Sequence, residues 1–389
     1  MIRKILFGAI LIIGAALALF FTLGPMWVER DMNQRADVEL PAISEEAEAL
    51  HERLIVADLH SDTLLWDRNL LNRSGRGHVD LPRLEEGNVA LQVFASVTKS
   101  PAGQNYDSNP ADSDTIIWLA IGQLQPIRTW FSLLERSLYH ADRLVRTEAD
   151  SEGALRIVRT RADIDALLAD RQRGEQVTGA LLSIEGLHNL EGEVANFDRL
   201  FDAGYRMASP THFFDNEMGG SMHGLEKGGL TEFGRDIVRR MEQGGMIVDI
   251  AHASPAMVDD ILAMATRPVV SSHGGVQAVC DVNRNLTDDQ IRGVAATDGV
   301  IGIGYWDGAI CSVEPADIVA SILHVRDLVG IRHVGLGSDY DGAVTVGFDT
   351  SELAVITQLL MDEGLSEGEI AQIMGGNVIR LLRDGLPEG

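Results

Sequence analysis

The sequence predicts an α/β fold: a closed (β/α)8 barrel preceded by an apolar N-terminal helix. Three observations carry that expectation. Eight short, β-rich apolar runs recur along the chain, separated by longer stretches of helical periodicity. Most of these runs are continuously apolar, as parallel strands buried on both faces require. Residues 49–389 are also of a length that suits such a barrel with insertions. A doubly wound open sheet is the alternative, but the glycine-rich phosphate-binding turn it favours is absent after the first strand.

In chain order, Arg3 and Lys4 come first, and no charged side chain follows from Ile5 to Val28. Spanning a hydrocarbon core about 30 Å thick takes about 20 apolar residues, so residues 1–28 read as a membrane anchor. A cleavable signal sequence is the alternative reading. Its apolar region is usually about 7–15 residues, shorter than this one. Gly24-Pro25-Met26-Trp27 is also a poor cleavage site. The basic end stays cytoplasmic, which places the remainder on the periplasmic or extracellular side. Trp27 suits the membrane interface. Residues 29–48 read as a polar tether, and residues 49–389 as the barrel domain.

The candidate strands are residues 54–60, 89–97, 179–185, 206–212, 246–252, 268–273, 300–306 and 333–339. Helices fit residues 230–243, 254–265, 287–296, 315–328 and 350–363. The long interval 100–178 reads as a polar loop followed by helices such as 112–137.

Composition narrows the function. With 32 Lys+Arg against 58 Asp+Glu, the net charge is −26. Such a surface repels phosphate backbones and anionic headgroups, which excludes nucleic acid and a basic membrane patch as partners. Cys280 and Cys311 are too few for a disulfide scaffold or a Cys-based zinc finger. Both fall in loops after adjacent strands, so an oxidising compartment would let them pair.

The strand ends share an unusual feature. The first ends in His60-Ser61-Asp62, the third in Glu185, the fourth in His212, the fifth in His252, the sixth in His273 and the eighth in Asp339. A barrel gathers these ends on one face, where the active sites of this fold lie. Imidazoles and carboxylates suit zinc and neighbouring divalent metals. Singly, each has a plainer role: a hydrogen-bonded structural His, a helix cap for Asp62, an ion-pair partner for Glu185, a loop carboxylate for Asp339. Six strand ends bearing such groups favour a metal centre, because burying them without compensation is costly.

Other histidines carry less weight. His188 is not expected to be a ligand; His51, His140 and His324 read as surface or packing residues, and His333 as structural. His78 and His223 stay open. There is no G-x-S-x-G elbow and no H-E-x-x-H helix.

The motifs HSD, SIEG, SPTH, GLTEFGRDIVRRMEQGGMIVDIAHAS, RPVVSSHGG, CDVNRNL and HVGLGSDYDG occur in that order. Together they resemble the membrane dipeptidase family over roughly residues 50–385. That resemblance implies a binuclear zinc barrel of the metal-dependent hydrolase type, cleaving dipeptides with a free carboxylate. His60, Asp62 and Glu185 would hold one zinc and His252 and His273 the other, with Glu185 bridging. A metal-bridging hydroxide would attack the peptide carbonyl, polarised by a zinc and His212. Asp339 would act as general acid/base, Arg284 would clamp the substrate carboxylate, and His212 would bind the substrate at its carbonyl. Asp249 and Asn216 would be either supporting groups or packing. Related hydrolases often bridge through a carboxylated Lys, but none of Lys4, Lys99 and Lys227 lies on strands three to eight.

The resemblance also suggests a homodimer. Two departures accompany it. The chain ends LLRDGLPEG without the hydrophobic tail of lipid-anchored mammalian members, so anchoring is expected at the N-terminus, and residues 100–178 match no motif. The alternatives are a related binuclear metal hydrolase acting on lactams, lactones or other amides, and a non-catalytic anchored binding protein on a decayed enzyme fold.

Overall fold

The computed structural model describes residues 2–389. Eight parallel strands form the barrel: β1 Val56–Ser61, β2 Val89–Val97, β3 Thr178–Glu185, β4 Tyr205–Ser209, β5 Ile247–Val248, β6 Val270–Ser271, β7 Val300–Ile303 and β8 Val334–Leu336. Hydrogen bonding runs in the order β5-β4-β3-β2-β1-β8-β7-β6. A parallel bridge between Asp249 and Val270 joins β5 to β6 and brings the ring round on itself. Every residue of β1 through β4 is buried, which is why these strands are apolar without alternation.

The strands fall where the apolar runs predict, but β5 and β6 keep only two ladder residues each. Beyond them the backbone turns out of the ladder to place His252 and His273. Caps set where the following helices begin. Thr231, Ser254 and Thr287 each accept a backbone N–H in the first turn of the helices Glu232–Gly244, Pro255–Met264 and Asp288–Ala296.

The 112–137 helix is broken in the structure. Ile116–Gly122 and Arg128–Phe131 are separate short helices, and Leu133–Asp150 begins a third. Leu124 takes a left-handed φ of 54° and Pro126 follows it, so a continuous helix cannot form there.

The N-terminal region also differs from expectation. The helix Ile2–Thr22 ends short of residue 28, and a second helix, Gly24–Met32, begins with Pro25 in its first turn. Of the described residues, Arg3–Thr22 is the single segment long and apolar enough to cross a membrane. Residues 29–48 do not hang free as a tether. Glu29 is buried and pairs with Arg68 and Arg76. Gln34–Arg35 pairs with Thr345–Val346, and Ser44 N donates to Gln358 Oε1. A polar sequence hid this docking because the contacts are ionic and through the backbone.

Candidate metal centre

The barrel delivers His60, Asp62, Glu185, His212, His252, His273 and Asp339 to one buried cluster at the carboxyl ends of the strands. Glu185 is its hub. Its Oε1 lies 2.8 Å from His252 Nε2 and 3.2 Å from His273 Nε2. Its Oε2 lies 3.6 Å from His60 Nε2. The same His60 nitrogen is 3.5 Å from Asp62 Oδ1 and 3.7 Å from Asp339 Oδ1. His212 Nε2 approaches Glu185 Oε1 to 3.6 Å. The two faces of one carboxylate therefore address two sets of ligand atoms.

The chemistry of this donor set fits divalent cations. His60 Nε2, Asp62 Oδ1 and Glu185 Oε2 are buried and have no hydrogen-bond partner. Buried polar atoms are normally satisfied, so three converging orphans mark a place for a cation. His252 Nε2 and His273 Nε2 meet at 3.0 Å, close enough to share a proton or to face one cation. The electrostatics agree. Burial alone would lower the His60 pKa, but Glu185 and Asp62 hold it well above the usual imidazole range. Burial would raise Glu185, yet His212, His60 and the contacts from His252 and His273 keep it well below the carboxylate range. Burial, with Arg284 beside them, pushes His252 and His273 well below the usual imidazole range, so both stay neutral around that carboxylate.

Supporting groups fix the ligands. Asp58 accepts from the His60 N–H, from Gln92 Nε2 and from Ser338 N and Oγ, tying the end of β1 to β2 and β8. Asp249 accepts from Ser272 Oγ, which contacts His273 Nδ1 at 2.8 Å. So Asp249 acts on the cluster through Ser272, a relay of the kind that fixes a histidine tautomer. Asn216 instead bonds Pro210 O and the Met218 N–H, and shapes the loop after β4. Asp62 makes no capping hydrogen bond with its side chain. His252 and Asp339 sit at left-handed φ values of 63° and 61°. Non-glycine residues in such backbone cost about 1–3 kcal/mol each and cluster at functional sites.

Beside the cluster lies a cavity of about 530 Å³. Asp62, Glu185, His212, His252, Arg284 and Asp339 form its polar end. Arg284 is buried, gives one N–H to His273 O at 2.8 Å, sits 5.5 Å over the Trp306 ring and leaves its Nε unpartnered. A buried guanidinium with an unpartnered N–H has the chemistry to bind a carboxylate.

The sequence singled out the polar end but missed the apolar one. Val28 and Met32 reach the cavity from the N-terminal segment, and Ile116 and Leu119 from the long insertion. Tyr106, also in the insertion, accepts a hydrogen bond on its hydroxyl from Trp306 Nε1 at 2.9 Å. No local pattern marks these residues. Asp58 did carry a signal, a carboxylate inside an unbroken apolar strand.

The remaining histidines fall outside the cluster. His188 bonds Thr98 Oγ1, and His78 contacts Gln34 O and the Asp341 N–H. His223 stacks on Phe213 and contacts Tyr106 O. His51 and His140 are buried core residues, and His333 contacts Gly299 O at the far end of the barrel. Cys280 and Cys311 form a disulfide with Cα atoms 5.4 Å apart.

Comparison with known proteins identifies the family. Residues 44–385 match the membrane dipeptidase family, peptidase family M19. Dipeptidase aclJ of Aspergillus oryzae is 30% identical over 354 residues, covering 85% of this chain and 78% of that one. The probable dipeptidase PvdM of Pseudomonas aeruginosa shares the fold at a TM-score of 0.73 and 19% identity, over 87% of this chain and 97% of its own. A Rhodobacter sphaeroides metallopeptidase, solved with a phosphinate mimic of the dipeptide L-Ala-D-Ala, gives a TM-score of 0.69 at 23% identity, over 85% and 99%. The match over most of its length and the shared barrel together establish that the chain belongs to the membrane dipeptidase family, a family of metallo-dipeptidases.

Proposed function

We propose that the chain is a membrane-anchored, dinuclear zinc dipeptidase that hydrolyses dipeptides bearing a free C-terminal carboxylate. The split of Glu185, with Oε1 toward His252 and His273 and Oε2 toward His60, is the observation that carries this reading. In it, His60, Asp62 and Glu185 hold one ion, and His252, His273 and Glu185 hold the other. When bound, two divalent ions at such a site lower the pKa of a water and polarise a carbonyl oxygen.

The chain's own residues supply the rest. Arg284 binds the substrate carboxylate and fixes the peptide bond over the cluster. His212, whose pKa burial lowers, presents a neutral imidazole to the carbonyl oxygen as negative charge develops. Asp339 accepts the proton of the attacking water and hands it to the leaving amine. Burial raises the Asp339 pKa well above the carboxylate range, reinforced by Asp62 and Glu185 against the opposing effect of His60. A carboxyl so placed can hold the proton between the two transfers.

The helix Ile2–Thr22 is taken as the anchor, with Arg3 and Lys4 on the cytoplasmic side and the barrel outside. The Cys280–Cys311 disulfide supports an oxidising compartment.

Metal content measured beside hydrolysis of a dipeptide library tests the proposal. Two zinc ions per chain, loss of hydrolysis on chelation and recovery with zinc are expected. Full activity after exhaustive chelation would sink the mechanism. Cleavage of lactams or lactones lacking a carboxylate, with dipeptides untouched, would favour a different hydrolase of the same class.

A further inference from the structure

The large apolar side chains exposed by the barrel domain are concentrated on its catalytic face. Trp118 is 66% exposed, Leu124 68%, Ile127 66% and Phe131 82%. All four lie in the insertion that follows β2, where loops open on the side of the metal cluster. From Thr115 to Phe131 the chain reads TIIWLAIGQLQPIRTWF, in which Arg128 is the single charged residue. In a protein that is 23% charged, the exposed apolar side chains of such a stretch mark a contact surface.

The structure places that patch beside the N-terminal helices. Gly122 lies against Pro25 and Phe20, so the insertion touches the point where the apolar helix leaves for the barrel. Met26 shares a small cavity with Gly122 and Leu124 at this junction, and Leu23 and Met26 are exposed. The helix Ile116–Gly122 has two roles on its two sides. Ile116 and Leu119 turn inward to the cavity, while Trp118 points out.

We infer that residues 116–131 lie in the membrane interface beside the anchor, and that this contact seats the catalytic face on the bilayer. The inference rests on reading Ile2–Thr22 as a membrane anchor. The occupant is the lipid surface because the patch is continuous with the helix that enters it. Its composition also fits: Trp and Phe with aliphatic residues suit the boundary between headgroup and acyl chain. The contact is apolar, so it does not require the basic charge that this chain lacks. The docked N-terminal segment ties the barrel to the anchor, and the seat fixes which face of the barrel meets the bilayer.

Site-directed spin labelling of the full chain in phosphatidylcholine vesicles tests this. Because Cys280 and Cys311 are disulfide-bonded, a label goes to the introduced cysteine alone. Phe131→Cys and Ile127→Cys probe the patch, Leu11→Cys probes the anchor, and Glu175→Cys probes the far end of the barrel. Exposed sites are chosen so that the fold tolerates each change. The seat predicts that oxygen accessibility relative to a water-soluble nickel chelate is several-fold higher at 127 and 131 than at 175. Water-like values at 127 and 131 with a lipid-like value at 11 would overturn the seat and leave the anchor standing. Water-like values at all positions would overturn both. Low accessibility of 127 and 131 to both reagents would replace the bilayer with a second protein surface.

Discussion

Asp339 Oδ1 lies 3.7 Å from His60 Nε2, so the end of β8 meets the end of β1 at the centre of the cluster. The carboxyl is buried and lines the cavity beside the proposed metal ligands. The proposed mechanism gives it the reacting water and leaves the ion to His60, Asp62 and Glu185, although its own oxygen also converges with His60 and Asp62. Asp339→Asn is therefore expected to keep its zinc and lose turnover by about 10²–10⁴-fold, the usual contribution of a positioned acid/base. Metal analysis alongside kcat checks both halves. Wild-type turnover in the variant would remove Asp339 from the proton path.

Glu185→Gln preserves the shape of the hub and removes its charge. One amide oxygen can still face an imidazole cluster, but the other side then presents NH2 to His60 or to His252. The variant is expected to lose at least one of the two proposed zinc ions after purification, with activity falling accordingly. Two tightly held ions in Glu185→Gln would show that the bridge is not this carboxylate.

Arg284 is buried over Trp306, lines the cavity and leaves its Nε unpartnered. Lys cannot reproduce a planar pair of donors, so Arg284→Lys is not a mild change. Losing a hydrogen bond to a charged group costs about 1.5–3 kcal/mol, or about ten- to hundredfold in KM. The same variant should discriminate less between a dipeptide and its C-terminal amide. Unchanged preference for the free acid would place the carboxylate elsewhere.

Glu29 holds the N-terminal segment to the barrel through Arg68 and Arg76, and Arg68 also pairs with Asp341. Asp341 in turn accepts from Thr63 Oγ1, next to Asp62. Removing one partner of a buried ion pair typically costs about 3–5 kcal/mol. Glu29→Gln is expected to lower the thermal unfolding midpoint by several degrees. An unchanged midpoint would mean that the segment docks through its apolar and backbone contacts alone.

His140 is expected to make stability depend on pH. Burial, aided by Arg143 and Arg136, lowers its pKa from 6.5 to about 3. Below pH 6.5 the unfolded chain therefore binds a proton that the folded chain refuses. This group's contribution is complete above pH 6.5 and declines as the pH falls toward 3, at about 1.4 kcal/mol per pH unit. His140→Gln should lose less stability than wild type between pH 7 and pH 5, measured by thermal unfolding. Equal losses would show that His140 is not the responsible group.

The strand-end residues were legible because barrel topology turns a local property into a spatial one. His60, Glu185 and His273 each end an apolar run, and a closed barrel makes such ends neighbours whatever the loops between them do. Position in the strand was enough to collect them. The wall opposite them gave no such signal. Val28, Met32, Ile116 and Leu119 are ordinary apolar residues in segments that read as anchor, tether or unmatched insertion. Their place at the cavity depends on Pro25 starting a second helix and on the break near Leu124 and Pro126. The polar character of residues 29–48 also misled, because Glu29 enters the interior with its charge already matched by Arg68.

The sequence by itself determined the eight-stranded barrel, the face that carries the site and the residues gathered on it, since period and order along the chain settle these. Only the tertiary structure decided which oxygen of Glu185 faces which histidine, that Arg284 is buried with its Nε unpartnered, and that the N-terminal segment and the insertion complete the cavity. Those relations depend on side-chain packing between distant segments, where a few ångströms separate a ligand from a neighbour and no local pattern records the distance.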